Sequence, residues 1–232
     1  MWILALDGSL ARCSAAVLAD GQVTARDQVD SERGHAAILP PMAQRVLRMA
    51  GIEAPQLDAV AVGVGPGGFT GLRAALALAQ GLALGAGLPL IGVTTGEALV
   101  AALTEEERRG RAVWAAIDTK RGDRVILERF APGAAVPLGP PQPFAEQALP
   151  HPGERVAVAG DAAAPVAARL LARGIDALLT GQRLPDAEAI ARVAALRLSG
   201  RLPPRDAAPL YVEPPAVRSP SPPVPAWASA TA

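Results

Sequence analysis

The sequence predicts an α/β protein built twice from one unit. Three observations predict it. Apolar runs of strand length alternate with stretches of helical periodicity. Two of those runs, 2–6 and 113–117, stop at an aspartate turn, Asp7-Gly8-Ser9 and Asp118-Thr119-Lys120, and a further strand follows each. The run 57–64 is almost wholly apolar, as a strand covered on both faces should be.

After Trp2-Ile-Leu-Ala-Leu6, residues 14–18 followed by Asp20-Gly21 predict a second strand closing in a hairpin turn, with a third over 22–29. Ile38, Leu39, Met42, Val46, Leu47 and Met49 recur at helical spacing over 35–51, where Gly51 offers a stop. Pro40 and Pro41 place the regular start of that helix near Pro41 or bend it there. The strand at 57–64 runs into Gly65-Pro-Gly-Gly-Phe-Thr-Gly71 and then into a helix over about 72–85. From Ala74 to Gly96 there is no charged residue in 23 positions, long enough to cross a membrane. Four glycines before Gly96, together with Gln80 and Pro89, divide it instead into helix, turn and a short buried strand at 88–93.

The second half restarts the first. Leu4-Ala5-Leu6-Asp7 aligns with Ala115-Ala116-Ile117-Asp118, and 124–130 resumes as a strand. A Pro-rich connector covers 132–152, a strand at 155–159 closes on Gly160-Asp161, and helices are predicted at 164–173 and 187–199. From Pro214 six of the last 19 residues are proline without apolar periodicity, which predicts a disordered tail. A duplicated unit whose opening hairpin carries an Asp turn points to an actin-like (ribonuclease-H-like, ASKHA) fold of two lobes, 1–103 and 104–213, with the tail at 214–232.

Composition narrows the function classes. Basic and acidic residues balance at 22 each, so no global field draws the chain to nucleic acid or an anionic membrane, and a hydrophobic share of 50% excludes disorder throughout. Lys120 is the only lysine and no Walker A loop is present. Cys13 is alone and the start MWILALDGS lacks a basic leader region, from which a reducing, cytoplasmic location and no membrane association are expected.

Gly63-x-Gly65-x-x-Gly68 matches the dinucleotide fingerprint literally, yet no acidic residue lies between Gly65 and Glu97 to hold a ribose. Unhindered backbone N–H groups leading into a helix, with Arg73 one turn on, still form a favourable anion site. The same glycines equally serve a tight turn that brings the helix close to the sheet. Asp7, Ser9, Gly67, Gly68 and Thr70 are therefore the candidate nucleotide- or anion-binding residues. The following helix places Ala74, Ala77, Gly81 and Gly85 near one face, with Leu72, Leu76 and Ala83 elsewhere. Asp7, Asp118 and Asp161 each end an apolar run, where a carboxylate could hold a hydrated metal or simply form a turn. His35 and His151 lie 116 positions apart and GxSxG is missing, so neither a zinc hydrolase nor a serine hydrolase is indicated. A thiol site pairing Cys13 with either histidine lacks support; Cys13 is expected buried and His35 at a helix start.

Three stretches carry a family resemblance: Ile3-Leu-Ala-Leu-Asp-Gly-Ser9, His35 to Leu39 with its helix, and above all Leu57-Asp-Ala-Val-Ala-Val-Gly-Val-Gly-Pro-Gly-Gly-Phe-Thr-Gly-Leu-Arg73. Together they resemble the TsaB (formerly YeaZ) family, bacterial partner proteins in threonylcarbamoyladenosine modification of tRNA. Ile91-Gly92-Val93-Thr94-Thr95 continues the likeness, and Ile117-Asp118 and Pro209-Leu210-Tyr211-Val212 echo it more thinly. Gly8 departs from the family's usual Thr, which weakens a phosphate-binding role for the first turn.

The resemblance implies an actin-like fold with no catalytic residues, no metal and no cofactor of its own, any ATP being bound within a complex. Where the related catalytic protein TsaD carries two metal-binding histidines this chain has Thr95 and Leu99, which cannot replace two imidazoles. The older glycoprotease label is thus unsupported. The implied role is a non-catalytic scaffold that dimerises with a TsaD-type subunit, recruits a TsaE-type ATPase, forms a homodimer when alone and meets tRNA only indirectly. The interface residues implied are His35, Leu39, Met42, Val46, Gly71, Arg73, Ala74, Ala77 and Gly81. Two rivals stay open: an actin-fold ATPase or kinase using Asp7 and Asp118 around magnesium, and a stand-alone homodimer binding small anions at the Gly loop.

Overall fold

A computed structural model describes residues 1–212; the tail expected at 214–232 lies outside the described residues. Two five-stranded sheets make the frame. In the first, β1 (Trp2–Asp7) pairs antiparallel with β2 (Arg12–Ala19), which carries β3 (Gln22–Asp30); on its other side β1 runs parallel to β4 (Ala59–Gly65), followed by β5 (Leu90–Thr94), giving the order β3-β2-β1-β4-β5. The second repeats the plan with β6 (Ala112–Asp118) at its centre, antiparallel β7 (Arg124–Phe130) and β8 (Gln142–Ala145) to one side, and parallel β9 (Val156–Ala159) and β10 (Ala177–Leu179) to the other. The duplicated actin-like fold expected from the two aspartate turns is therefore present, with Asp7 and Asp118 at matching strand ends.

Helices α1 (His35–Ala50) and α2 (Phe69–Ala86) cover one face of the first sheet, burying Leu39, Met42, Val46, Leu72, Leu76 and Ala83 against β1, β2 and β4. Helix α1 starts at His35, ahead of the expected regular start near Pro41, and continues through Pro40 and Pro41. Prolines there remove only two N–H donors near the helix start, and the buried side chains on either side hold the helix to the sheet. Left-handed Gly51 ends it, donating its N–H to the Arg48 carbonyl. Helix α2 starts at Phe69, three residues before the expected position. With a mean hydropathy of 1.3 it has the length and composition of a membrane span, and it lies along β4 with a third of its residues buried.

Two further helices change the expected partition. Helix α3 (Thr95–Ala102) sits between the sheets: Ala98 packs with the first, and Leu99 and Val100 with Val113, Ala115 and Phe130 of the second. Helix α6 (Ala187–Leu198) returns from the far end of the chain to the other face of the first sheet, where Ile190 and Ala194 meet Ile3, Ala5, Ala16 and Leu18. Residues 203–212 then follow the open edge of β5 and the end of β4, with Gly92 N donating to Arg205 O and Leu210 N to Val64 O. Residues 104–213 are accordingly not one packing unit. Helix α5 (Ala163–Ala172) covers the second sheet, while α4 (Glu105–Arg108), β8 and β10 are short elements that the sequence pattern does not announce.

Ile190 lies near the C-terminus in sequence and beneath β1 in space. Ile190→Ala should lower stability by about 2–5 kcal/mol in urea unfolding, with amide protection lost first in β1 and β2 and not in β9 and β10.

Candidate functional site

The first aspartate turn is folded inward. Asp7 is 1% exposed; its Oδ2 accepts from Ser9 N at 3.3 Å and Ser9 Oγ at 3.2 Å, and its Oδ1 has no hydrogen-bond partner among the described residues. Burial pushes the carboxyl up to about 7, aided by the charge of Asp186 at the start of α6 and opposed by the Ser9 hydrogen bonds. Gly63 leaves room for it, because a Cβ there would lie 2.1 Å from Asp7 Oδ1.

The Gly-rich loop closes on this turn. Gly68 N donates to Ser9 O at 2.7 Å, and a Cβ on Gly67 would lie 2.1 Å from that same oxygen. One of the amides available to an anion thus serves a protein carbonyl, which draws the start of α2 onto the first turn. Gly8 and Gly71 are equally close, since a Cβ on Gly71 would meet Gly8 O at 2.3 Å and one on Gly8 would meet Gly71 O at 2.9 Å. Residue 8 is thereby confined to the smallest side chain in this packing. Of the five anion candidates Asp7 and Ser9 are buried, whereas Gly67, Gly68 and Thr70 are exposed.

The second turn has different chemistry. Lys120, held in a left-handed conformation, places Nζ 3.0 Å from Asp118 Oδ2 and 3.8 Å from Asp161 Oδ2, while Asp118 Oδ1 accepts from Lys120 N and Asp161 Oδ1 from Asp118 N. These carboxylates already hold an ammonium, and Asp118 raises the Lys120 pKa. Between the two turns Leu10 packs against Ile117 and Ile126, with Leu184 and Val212 beside them.

The interface candidates divide as well. His35, Leu39, Met42, Val46 and Gly71 are interior: His35 Nε2 lies 3.1 Å from Leu10 O, and the other side chains fill the space between α1, α2 and the sheet. They correct the expectation of direct partner contact, because the spacing that marks a helix face here marks the face the sheet covers. Ala77, Gly81, Leu84 and Gly85 are exposed and Ala74 and Leu78 half-buried, leaving an apolar stripe along α2. At its start Arg73 lies 3.6 Å over the Phe69 ring, and its Nε donates to Tyr211 Oη at 2.8 Å.

Where the sequence reading passes over Thr94, Glu97 and Glu128, the structure joins them. Thr94 caps α3 through Glu97 N, Glu97 answers to Thr94 N, and Arg197 of α6 donates to Glu97. Thr94-x-x-Glu97 is a capping-box signature and the signal that would have found them. Thr95 Oγ1 donates to Pro66 O at 2.7 Å and Leu99 is fully buried.

The family described as TsaD, tRNA N6-adenosine threonylcarbamoyltransferase, matches residues 29–131. The tRNA threonylcarbamoyladenosine biosynthesis protein TsaB of Escherichia coli is 41% identical over 123 residues, 53% of this chain and 52% of that protein. A tRNA N6-adenosine threonylcarbamoyltransferase of Jannaschia is 37% identical over 147 residues, 56% of this chain and 40% of that protein. The chain spans about half the length of the curated relatives it matches. Among solved structures, YeaZ from Pseudomonas aeruginosa superposes with a TM-score of 0.74 at 28% identity, covering 90% of this chain and 99% of that one. The expected likeness to TsaB is thus borne out in sequence and in fold.

Asp7 carries a pH signature. With a folded-state pKa near 7 against an unfolded value of 3.8, only the folded chain holds the proton between about pH 4 and 7, so stability falls as pH rises through that window. Asp7→Asn should remove this loss, gaining about 1–3 kcal/mol over the parent at pH 8 relative to pH 4 in denaturant titrations.

Proposed function

We propose, from the likeness to TsaB, that this chain serves tRNA threonylcarbamoyladenosine biosynthesis as a cytoplasmic, non-catalytic subunit of a threonylcarbamoyltransferase assembly. It offers α2 to a TsaD-type catalytic subunit, or to a second copy when alone, and the resulting dimer recruits a TsaE-type ATPase. Transfer of the threonylcarbamoyl group to the adenosine beside the anticodon takes place in the partner.

The observation that carries this reading is the outer face of α2, where Ala77, Gly81 and Gly85 leave the backbone bare beside exposed Leu84. A helix whose outward residues are small and apolar gains from a second helix laid close against it, and little from water. Arg73, stacked on Phe69 and tied to Tyr211, supplies a polar rim. Thr95 and Leu99 add support: one hydroxyl is bound to the Pro66 carbonyl and one isobutyl group is enclosed in apolar core, so neither offers a metal ligand. The balanced charge fits an assembly in which the partner grips the RNA.

The rival ATPase reading needs Asp7 and Asp118 to share a magnesium ion. Asp7 is buried against Ser9, and Asp118 is occupied by Lys120.

Ala77→Arg should place a charge in the helix–helix contact, costing about 3 kcal/mol or more, roughly a 100-fold loss of affinity. Size-exclusion chromatography with the cognate TsaD-type subunit, together with assay of tRNA modification, should show both association and activity lost; unchanged co-elution would overturn the proposal. Hydrolysis of ATP by the purified chain alone, abolished in Asp7→Ala, would favour the rival.

A further inference from the structure

Within the apolar contacts that join the two lobes, one buried carboxyl group bridges them by hydrogen bonds. Glu128 lies in the middle of β7, in the second sheet, and reaches the start of α3, which belongs to the segment leaving the first. Its Oε1 accepts from Thr94 Oγ1 at 2.9 Å and its Oε2 from Gly96 N at 3.1 Å, and the residue is 1% exposed. The fit leaves no slack, since a Cβ on Gly96 would lie 2.2 Å from Glu128 Oε2. The charged groups facing this point come from three other elements. Glu97 on α3 is paired with Arg197 of α6, and Arg205, from the segment along β5, lies 3.6 Å from Glu97 Oε2. Glu128 thus has an anion and a guanidinium for neighbours and no direct ion pair among the described residues.

We propose that Glu128 is a proton-operated latch between the lobes: the protonated carboxyl holds α3 against β7, and its ionisation loosens that joint. Once protonated, the carboxyl can donate its O–H to Thr94 Oγ1 while the other oxygen still accepts from Gly96 N. Both contacts survive and no buried charge faces Glu97. Ionised, the same contacts carry an anion that is out of reach of water and repelled by Glu97. When the lobes part, water solvates the carboxylate and relieves that cost.

The sign follows from the two protonation equilibria. In the closed joint burial, reinforced by Glu97, pushes the Glu128 carboxyl up to about 7, against 4.5 when solvated. Between these values only the closed form holds the proton, so opening becomes easier by about tenfold per pH unit and levels off above about pH 7. The latch is tight in mild acid and loosest at neutral pH and above.

Amide hydrogen exchange on the full chain between pH 5 and 8.5, corrected for intrinsic exchange rates, reads the joint directly as exchange of α3 relative to β9. In the parent this ratio should rise at least tenfold from pH 5 to 7.5 and then stay level. Glu128→Gln, whose neutral amide can make the same two contacts, should keep it low and flat throughout. A flat ratio in the parent, or an unchanged rise in Glu128→Gln, would overturn the proposal. Should Glu128→Gln fail to fold, carbon-13 NMR titration of the glutamate carboxyls in the parent decides: a Glu128 midpoint near 7 that coincides with the end of the exchange rise supports the latch, and one in the ordinary glutamate range sinks it.

Discussion

A helix of eight residues lies between two sheets, and the amides of its first turn are shut away from water. That constraint organises the molecule. The opening N–H groups of a helix have no partner within it, and each one buried without a substitute costs about 1–3 kcal/mol. For α3 the substitutes arrive from several parts of the chain: the Thr94 hydroxyl serves Glu97 N and the Glu128 carboxyl serves Gly96 N. Glu97, brought in as the reciprocal cap, needs its own counter-charge, which Arg197 provides from α6. Strand β7, helix α6 and the segment along β5 thus converge on one turn, and the relation between the lobes is set where they meet.

Duplication supplied two equivalent frames that then diverged. Both sheets keep the same strand order and an aspartate at the end of the central strand. The first lobe retains long helices α1 and α2; in the second a single 3-10 turn, Glu146–Ala148, stands where α1 would be. The aspartates separated in chemistry too. Asp7 was drawn inward, where burial favours its neutral form, whereas Asp118 stayed near water and took the chain's sole lysine as its partner.

Much of this frame is legible in the residues because strand burial leaves a local mark. The runs 57–64 and 113–117 are wholly or almost wholly apolar for the length of a strand, 124–130 carries Val125-Ile126-Leu127 and Phe130 among its charged residues, and all three end at turn formers, so β4, β6 and β7 could be read within a residue or two. Helix α3 escapes because it begins in the last two positions of the long uncharged stretch and, Glu97 apart, consists of apolar or small residues on which no face stands out. Strand β8 is hidden in proline. The candidate site was half legible: spacing showed that α1 and α2 have faces, but which face meets the sheet depends on strand order, a non-local property. His35, Leu39 and Met42 therefore belong to the interior, and Ala77 and Gly81 to the surface. Glu128 carries a faint signal, a lone acid directly after the apolar run Val125-Ile126-Leu127 of a buried strand.

Helix α6 gives the chain an order of events during its synthesis. The first sheet is complete by Thr94, but Ile3, Ala5, Ala16 and Leu18 on its second face wait for residues 187–198. Domains usually close from the N-terminus as they leave the ribosome. Here the earliest strands stand half covered until nearly the whole described chain has been translated. The lobe that is written first is finished last, and a nascent chain cut short anywhere before α6 would present the ribosome's surroundings with an open apolar sheet.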